Sequence, residues 1–155
     1  MRDGVLVLGI GSPIMCDDAV GLRVVKEIEK KQIPGVSTVE ACTSGLDLIE
    51  VMLDYERVII VDAIMNSSNP PGTVMTLTSE NFSATVHGTN PHEANIATTL
   101  ELGMALEPQR MPQEIFFVAI EVVDVYTVSE SMTPPVEAAI DDAVKVVLSL
   151  IKRDA

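Results

Sequence analysis

Three side chains that commonly bind metals stand at element boundaries in this chain: Asp18, Asp62 and His92. Asp18 follows an apolar run, Val5 to Ile10, that reads as a strand buried on both faces. That strand breaks at Gly9, Gly11 and Ser12-Pro13, and two adjacent carboxylates, Asp17 and Asp18, come where an amphipathic helix begins. Asp62 ends the run Val58-Ile59-Ile60-Val61, and His92 follows Asn90-Pro91, a helix start with Asn as cap and Pro at the first helical position. Two carboxylates and one imidazole suit a divalent transition metal with positions left open for substrate or water. A helix N-terminus favours the anion at Asp18 and the neutral, coordinating ring at His92.

Each residue also has a plainer role. Either aspartate of the Asp17-Asp18 pair can cap the helix. We assign the cap to Asp17 and the ligand role to Asp18, with the reverse left open. Asp62 can cap a loop, and His92 can be an ordinary first-turn residue, with His87 in Thr85-Val86-His87-Gly88 the competing ligand. Asp47 and Glu50 read as solvated. Cys16 and Cys42 read as small buried residues, with soft secondary ligation the lesser alternative.

The elements that would position these groups alternate between strand and helix. Strands are expected at Val5–Ile10, Val36–Ala41, Arg57–Val61 (ending at Asp62), Thr73–Thr78 at an edge, and Ile115–Val123. Helices are expected from Asp18 to about Lys31, Leu46 to about Asp54, Asn90-Pro91 to about Leu106, and from Thr133-Pro134-Pro135 onward. The last of these carries an apolar face of Val136, Ala139, Ile140, Ala143, Val144, Val147 and Ile151. Residues 81–90 show no clear periodicity, and Tyr126–Val128 extends a strand or forms a loop. The pattern predicts a three-layer α/β/α sandwich: a mostly parallel twisted sheet with helices on both faces, in one domain over residues 1–155. In such a sheet all three candidate ligands converge on the carboxyl edge, where ligands bind.

Composition narrows the function further. With 47% apolar and 3% aromatic residues, the 155-residue chain is an aliphatic core-former and not a disordered one. A net charge of −13 argues against nucleic acid as a partner. Membrane insertion is not expected, a cytoplasmic location is, and two thiols there are read as reduced. Gly9-x-Gly11 lacks the third glycine of a dinucleotide fingerprint, since position 14 is Ile14, and the adjacent acids would repel a pyrophosphate. The chain has neither a P-loop nor a GxSxG elbow.

Leu8-Gly9-Ile10-Gly11-Ser12-Pro13-Ile14-Met15-Cys16-Asp17-Asp18-Ala19-Val20-Gly21 resembles the opening of the [NiFe]-hydrogenase maturation endopeptidases. Thr43-Ser44-Gly45-Leu46-Asp47-Leu48 resembles the family's second loop, and Val58-Ile59-Ile60-Val61-Asp62-Ala63 its acid-terminated third strand. Val118-Ala119-Ile120-Glu121 and Ser131-Met132-Thr133-Pro134-Pro135-Val136 resemble the last strand and last helix start. Ser12 stands where the family usually has Asn, and Cys16 and Cys42 where small residues such as Gly are common.

The resemblance implies an aspartyl-type endopeptidase that trims the C-terminal extension of a hydrogenase large-subunit precursor, once per substrate molecule. It implies Asp18, Asp62 and His92 as metal ligands, the last fitting the family's histidine better than His87 does. It implies nickel, supplied by the precursor, as the metal, with zinc or cadmium as substitutes, and a monomeric enzyme. The same ligands would also serve a non-proteolytic metal-binding recognition module or chaperone for the precursor, which cleavage of that precursor distinguishes. A nucleotide-binding α/β domain is the weakest alternative.

Overall fold

Aliphatic runs of five to eight residues and helices with one apolar stripe can bury their surfaces only by layering, and this chain does so. The computed structural model describes residues 2–43, 45–65, 68–85 and 91–153; the side chains of 83–85 and 91–94 lie outside that description. The strands are β1 (Val5–Ile10), β2 (Val36–Ala41), β3 (Arg57–Ile64), β4 (Val74–Thr78) and β5 (Glu114–Glu121). The helices are α1 (Val20–Lys30), α2 (Asp47–Met52), α3 (Ser79–Thr85), α4 (Pro91–Leu106), α5 (Pro134–Ala138) and α6 (Ile140–Ile151). A short 3-10 turn, Cys16–Ala19, precedes α1.

The sheet order is β2-β1-β3-β5-β4. The first four strands are parallel, and β4 closes one edge antiparallel to β5. Each face carries its own core. Val7, Ile59, Val61 and Val118 pack against α1, α5 and α6 through Val20, Val24, Val25, Val136, Val144 and Val147. Leu6, Leu8, Val58, Ile60 and Phe117 pack against α2, α3 and α4 through Leu48, Met52, Phe82, Ile96 and Leu100. The expected three-layer α/β/α fold is what the chain adopts.

Several boundaries differ from expectation. β5 runs Glu114–Glu121, so Val122 and Val123 belong to the loop after it and not to the strand, and α2 is trimmed to Asp47–Met52. β3 does not end at Asp62 but continues to Ile64. Its pairing with β1 stops at Gly9↔Val61, whereas β5 goes on pairing through Asp62↔Ala119 to Ile64↔Glu121. Residues 79–85 form α3, whose anchor is Phe82, stacked on Phe117 with ring centroids 4.0 Å apart. One aromatic contact replaces the periodic stripe that a longer helix would show. The first helix proper starts at Val20, after the 3-10 turn. The last helix is two, interrupted at Ala139, whose N–H bonds back to Val136 at 3.0 Å in a tight turn.

Arg57 fastens the amino edge. Its guanidinium is buried, donates to Glu114 Oε1 at 2.6 and 3.1 Å, and caps the carbonyls of Leu150 (2.8 Å) and Arg153 (2.7 Å) at the end of α6. A fork of fixed donors suits both the carboxylate and the orphan carbonyls of a helix C-terminus.

Candidate active site at the carboxyl edge

The connection out of β1 leads to β2 on one side, and the chain then returns to place β3 on the other. The carboxyl ends of β1 and β3 therefore flank a topological switch point, where an open α/β sheet leaves a crevice. The residues entering that crevice come from the 3-10 turn after β1 and from the end of β3.

Two close approaches hold these parts together. The start of α1 lies against both strand ends: a Cβ on Gly21 would stand 2.4 Å from the Val61 carbonyl oxygen and 2.9 Å from that of Ile10. The turn folds back on β1: a Cβ on Gly11 would stand 2.0 Å from the Asp18 carbonyl oxygen. Asp18, half-buried, accepts the Ser12 N–H at 2.9 Å. Ser12 thus serves the turn through its backbone, whatever its side chain. Asp62 is buried, and its Oδ1 accepts the N–H of Ala63 at 2.8 Å. By strand alternation it shares a face with Val58 and Ile60, the face that α4 covers. α4 begins at Pro91, as expected, and delivers the chain to β5 at the amino edge. Its first turn, with the backbone of His92, lies about 24 Å back along the helix axis, towards the carboxyl edge. The His92 side chain, His87 and the expected cap Asn90 lie outside the described residues. Among the described residues, no three His, Cys, Asp or Glu side chains form a metal-binding group.

Asp17 is not the cap it was expected to be. The turn and α1 have no side-chain cap bond, and Asp17 points the other way, fully buried. Its carboxylate accepts the N–H groups of Val123 and Asp124, both at 3.0 Å, the N–H of Thr133 at 2.7 Å and the Thr133 hydroxyl at 2.8 Å. Thr133 stands at the N-cap position of α5 but makes no cap bond there, because its hydroxyl is spent on Asp17. The Asp17 N–H in turn donates to the Asp124 carbonyl at 2.9 Å. Cys16 N–H donates to Ser129 and Ser129 N–H to Ile14, so the 122–133 loop is tied to residues 14–17 along its length. Within the loop, Thr127 and the N–H of Tyr126 bond Asp124 and hold its carboxyl below the usual range. Sequence reading missed this clamp. The only signal was the doubled acid, of which a single ligand or cap uses one.

The two cysteines part company. Cys42 is exposed, contrary to expectation, because it lies just past the end of β2 at the sheet rim. Cys16 is buried and holds φ +52°, a conformation in which glycine is unstrained. Burial first, then the charges of Asp17 and Asp124, push its thiol up. A maleimide at neutral pH is therefore expected to label Cys42 alone in the native protein, with Cys16 reacting only in denaturant. Equal labelling of both native thiols, read by intact mass, would contradict the buried placement.

Comparison with known proteins agrees with this architecture. A family model described as hydrogenase maturation protease matches residues 22–150. The hydrogenase 2 maturation protease of Escherichia coli K12 is 31% identical over 152 residues, spanning 96% of this chain and 90% of that protein. Among solved structures, the hydrogenase maturating endopeptidase HybD from E. coli superposes with a TM-score of 0.85 at 28% identity, covering 98% of this chain and 93% of that one. The [NiFe] hydrogenase maturation protease HybD from Thermococcus kodakarensis gives 0.81 at 28% identity, covering 98% and 100%.

Proposed function

Because the chain belongs to the hydrogenase maturation protease family, a family of endopeptidases, we propose that it removes the C-terminal extension of a [NiFe]-hydrogenase large-subunit precursor by metal-dependent hydrolysis after nickel insertion. The observation that carries this reading is the delivery of two carboxylates, Asp18 and Asp62, to the switch point between β1 and β3, with α4 and its His92 starting towards the same edge. Nickel is read as part of the substrate. Asp18, Asp62 and His92 are the residues that meet it, and this donor set of two carboxylates and an imidazole suits a borderline divalent cation. Asp18, Asp62 and His92 would hold such a metal, which would supply Lewis-acid polarisation of the peptide carbonyl and activation of water.

The chain's own contribution is orientation. Backbone N–H bonds from Ser12 and Ala63 fix the two carboxylates before substrate arrives, so little ordering remains at the moment of reaction. The unit is the whole chain, acting as a monomer in the cytoplasm. No helix among the described residues is long and apolar enough to cross a membrane.

The test is direct. Purified precursor, with and without nickel, is incubated with the protein and weighed intact. The nickel-loaded form is expected to lose its extension and the nickel-free form to keep it. Asp62→Asn, nearly isosteric, and His92→Ala are expected to abolish cleavage without lowering the melting temperature by more than a few degrees. Nickel-loaded precursor left at full length by the wild-type protein overturns the reading, and normal cleavage by either variant removes that residue from the site.

A further inference from the structure

The loop clamped by Asp17 has an outer surface that the proposed reaction does not use. Ile14, Val123, Tyr126 and Val128 are 49, 50, 77 and 75% exposed, four of the eight large apolar side chains that stand exposed among the described residues. They sit on one tied structure. Val123 N–H is held by Asp17, Tyr126 N–H by Asp124, and Ile14 is joined through its carbonyl to Ser129, the neighbour of Val128. A rigid backbone that presents branched and aromatic side chains to water is costly to hydrate unless something covers it. Rigidity also lowers the entropy lost when it is covered.

Charge says what kind of segment covers it. The connections leaving the carboxyl ends of the parallel strands, residues 11–19, 42–46, 65–73 and 122–133, contain no Lys or Arg. They do contain Asp17, Asp18, Asp124 and Glu130. Most cations lie elsewhere: Arg57 at the start of β3, Arg110 paired with Asp54, Lys145, Lys152 and Arg153 along and after α6, Arg2 near the amino terminus, and Lys26, Lys30 and Lys31 along and after the second half of α1. The exception, Arg23 in the first turns of α1, is paired with Glu137 at 3.4 Å. The charge of −13 is therefore unevenly spread, and the edge that holds Asp18 and Asp62 is acidic and apolar together.

We propose that Ile14, Val123, Tyr126 and Val128 form the docking surface for a segment of the precursor that carries aliphatic side chains and at least one Lys or Arg, positioning the adjoining chain over Asp18 and Asp62. This rests on the reading of the chain as a precursor-processing endopeptidase. The acidic edge draws the segment in, and the apolar side chains hold it.

The experiment measures, in parallel, cleavage kinetics and binding to immobilised nickel-loaded precursor. It compares the wild type with the double variant Tyr126→Ser plus Val128→Ser, with Glu130→Lys, and with Leu106→Ser, the last removing an equally exposed side chain from the far end of α4. The double variant is expected to raise KM and Kd about tenfold while moving kcat far less. Glu130→Lys is expected to weaken binding, and added salt to weaken wild-type binding; Leu106→Ser should match the wild type. Wild-type cleavage with KM and Kd unmoved by the double variant overturns the docking surface. Binding that is insensitive to both salt and Glu130→Lys overturns its cationic partner. No wild-type cleavage, with binding still lost in the double variant, overturns the protease reading and leaves the docking surface standing.

Discussion

Asp17→Ala is expected to lower the melting temperature by roughly 6–20 °C. The carboxylate is fully buried and serves three backbone N–H groups and one hydroxyl, from residues 106 to 116 positions away in sequence. Alanine removes every acceptor at once and leaves four donors to find water or go unpaired, each orphan costing about 1–3 kcal/mol before relaxation. With water and relaxation recovering part of that sum, a net loss of about 3–5 kcal/mol follows. In a chain of this size each kcal/mol corresponds to about 2–4 °C. Asp17→Asn should fall between: its amide oxygen keeps part of the network, but its NH2 faces N–H donors. The exposed Asp141→Ala serves as control and should stay within about 0.5 kcal/mol. A thermal scan places the three variants in order. An Asp17→Ala protein that melts within 2 °C of wild type would mean that the clamp contributes about 1 kcal/mol or less.

This network also marks the limit of what the sequence makes legible. Val5–Ile10 is found at the boundaries its apolar run predicts, because a strand buried between two helical layers has little freedom in where it ends. The half-exposed edge strand Val36–Ala41 also keeps its predicted boundaries, between Pro34-Gly35 and the polar Thr43-Ser44-Gly45. The Pro91 helix start follows equally from local chemistry, since proline tolerates only the first turn. Asp62 illustrates the opposite case. Its strand extends past it because β5, more than 50 residues later, keeps pairing there, and no local pattern records that partner. Asp17 and Asp18 look interchangeable as adjacent acids. Which one turns inward is decided by the Val123, Asp124 and Thr133 donors, known only once the last loop has folded across the turn. Cys42 fails for a similar reason: its type suggests burial, and its place beyond the end of β2 exposes it. The carboxyl-edge location of Asp18 and Asp62 was legible because alternating strands and helices already imply parallel strands whose ends share one edge; that this point lies at a strand-order switch comes only from the sheet order β2-β1-β3-β5-β4.

Gly11→Ala is expected to lower the rate of precursor processing by about a hundredfold, more than its effect on folding would suggest. The position tests whether Asp18 must lie where the turn puts it. The new methyl would be 2.0 Å from the Asp18 carbonyl oxygen, and that neighbour is backbone, not the end of a flexible side chain. To restore contact distance the turn must back away by about 1 Å, and a displacement of that size at a reacting group costs about 10²-fold. The Asp18–Ser12 bond is broken or bent by the same movement. Gly21→Ala makes a different demand. Its methyl would meet the carbonyls of Val61 and Ile10, 2.4 and 2.9 Å away, in two strands that the sheet holds fixed. Helix α1 must lift off both, at about 3 kcal/mol or more of overpacking. The melting temperature should then fall by roughly 6–12 °C. Gly35→Ala separates close approach from backbone conformation. Nothing lies within 4 Å of its added methyl, but its φ of +77° costs an L-residue about 1 kcal/mol, so stability should drop slightly and processing should persist. Intact-mass kinetics on the precursor, paired with thermal scans, read all three variants. A Gly11→Ala enzyme that is fully folded and fully active would show that Asp18 tolerates a 1 Å shift, and would take it out of the group that must be held in place for cleavage.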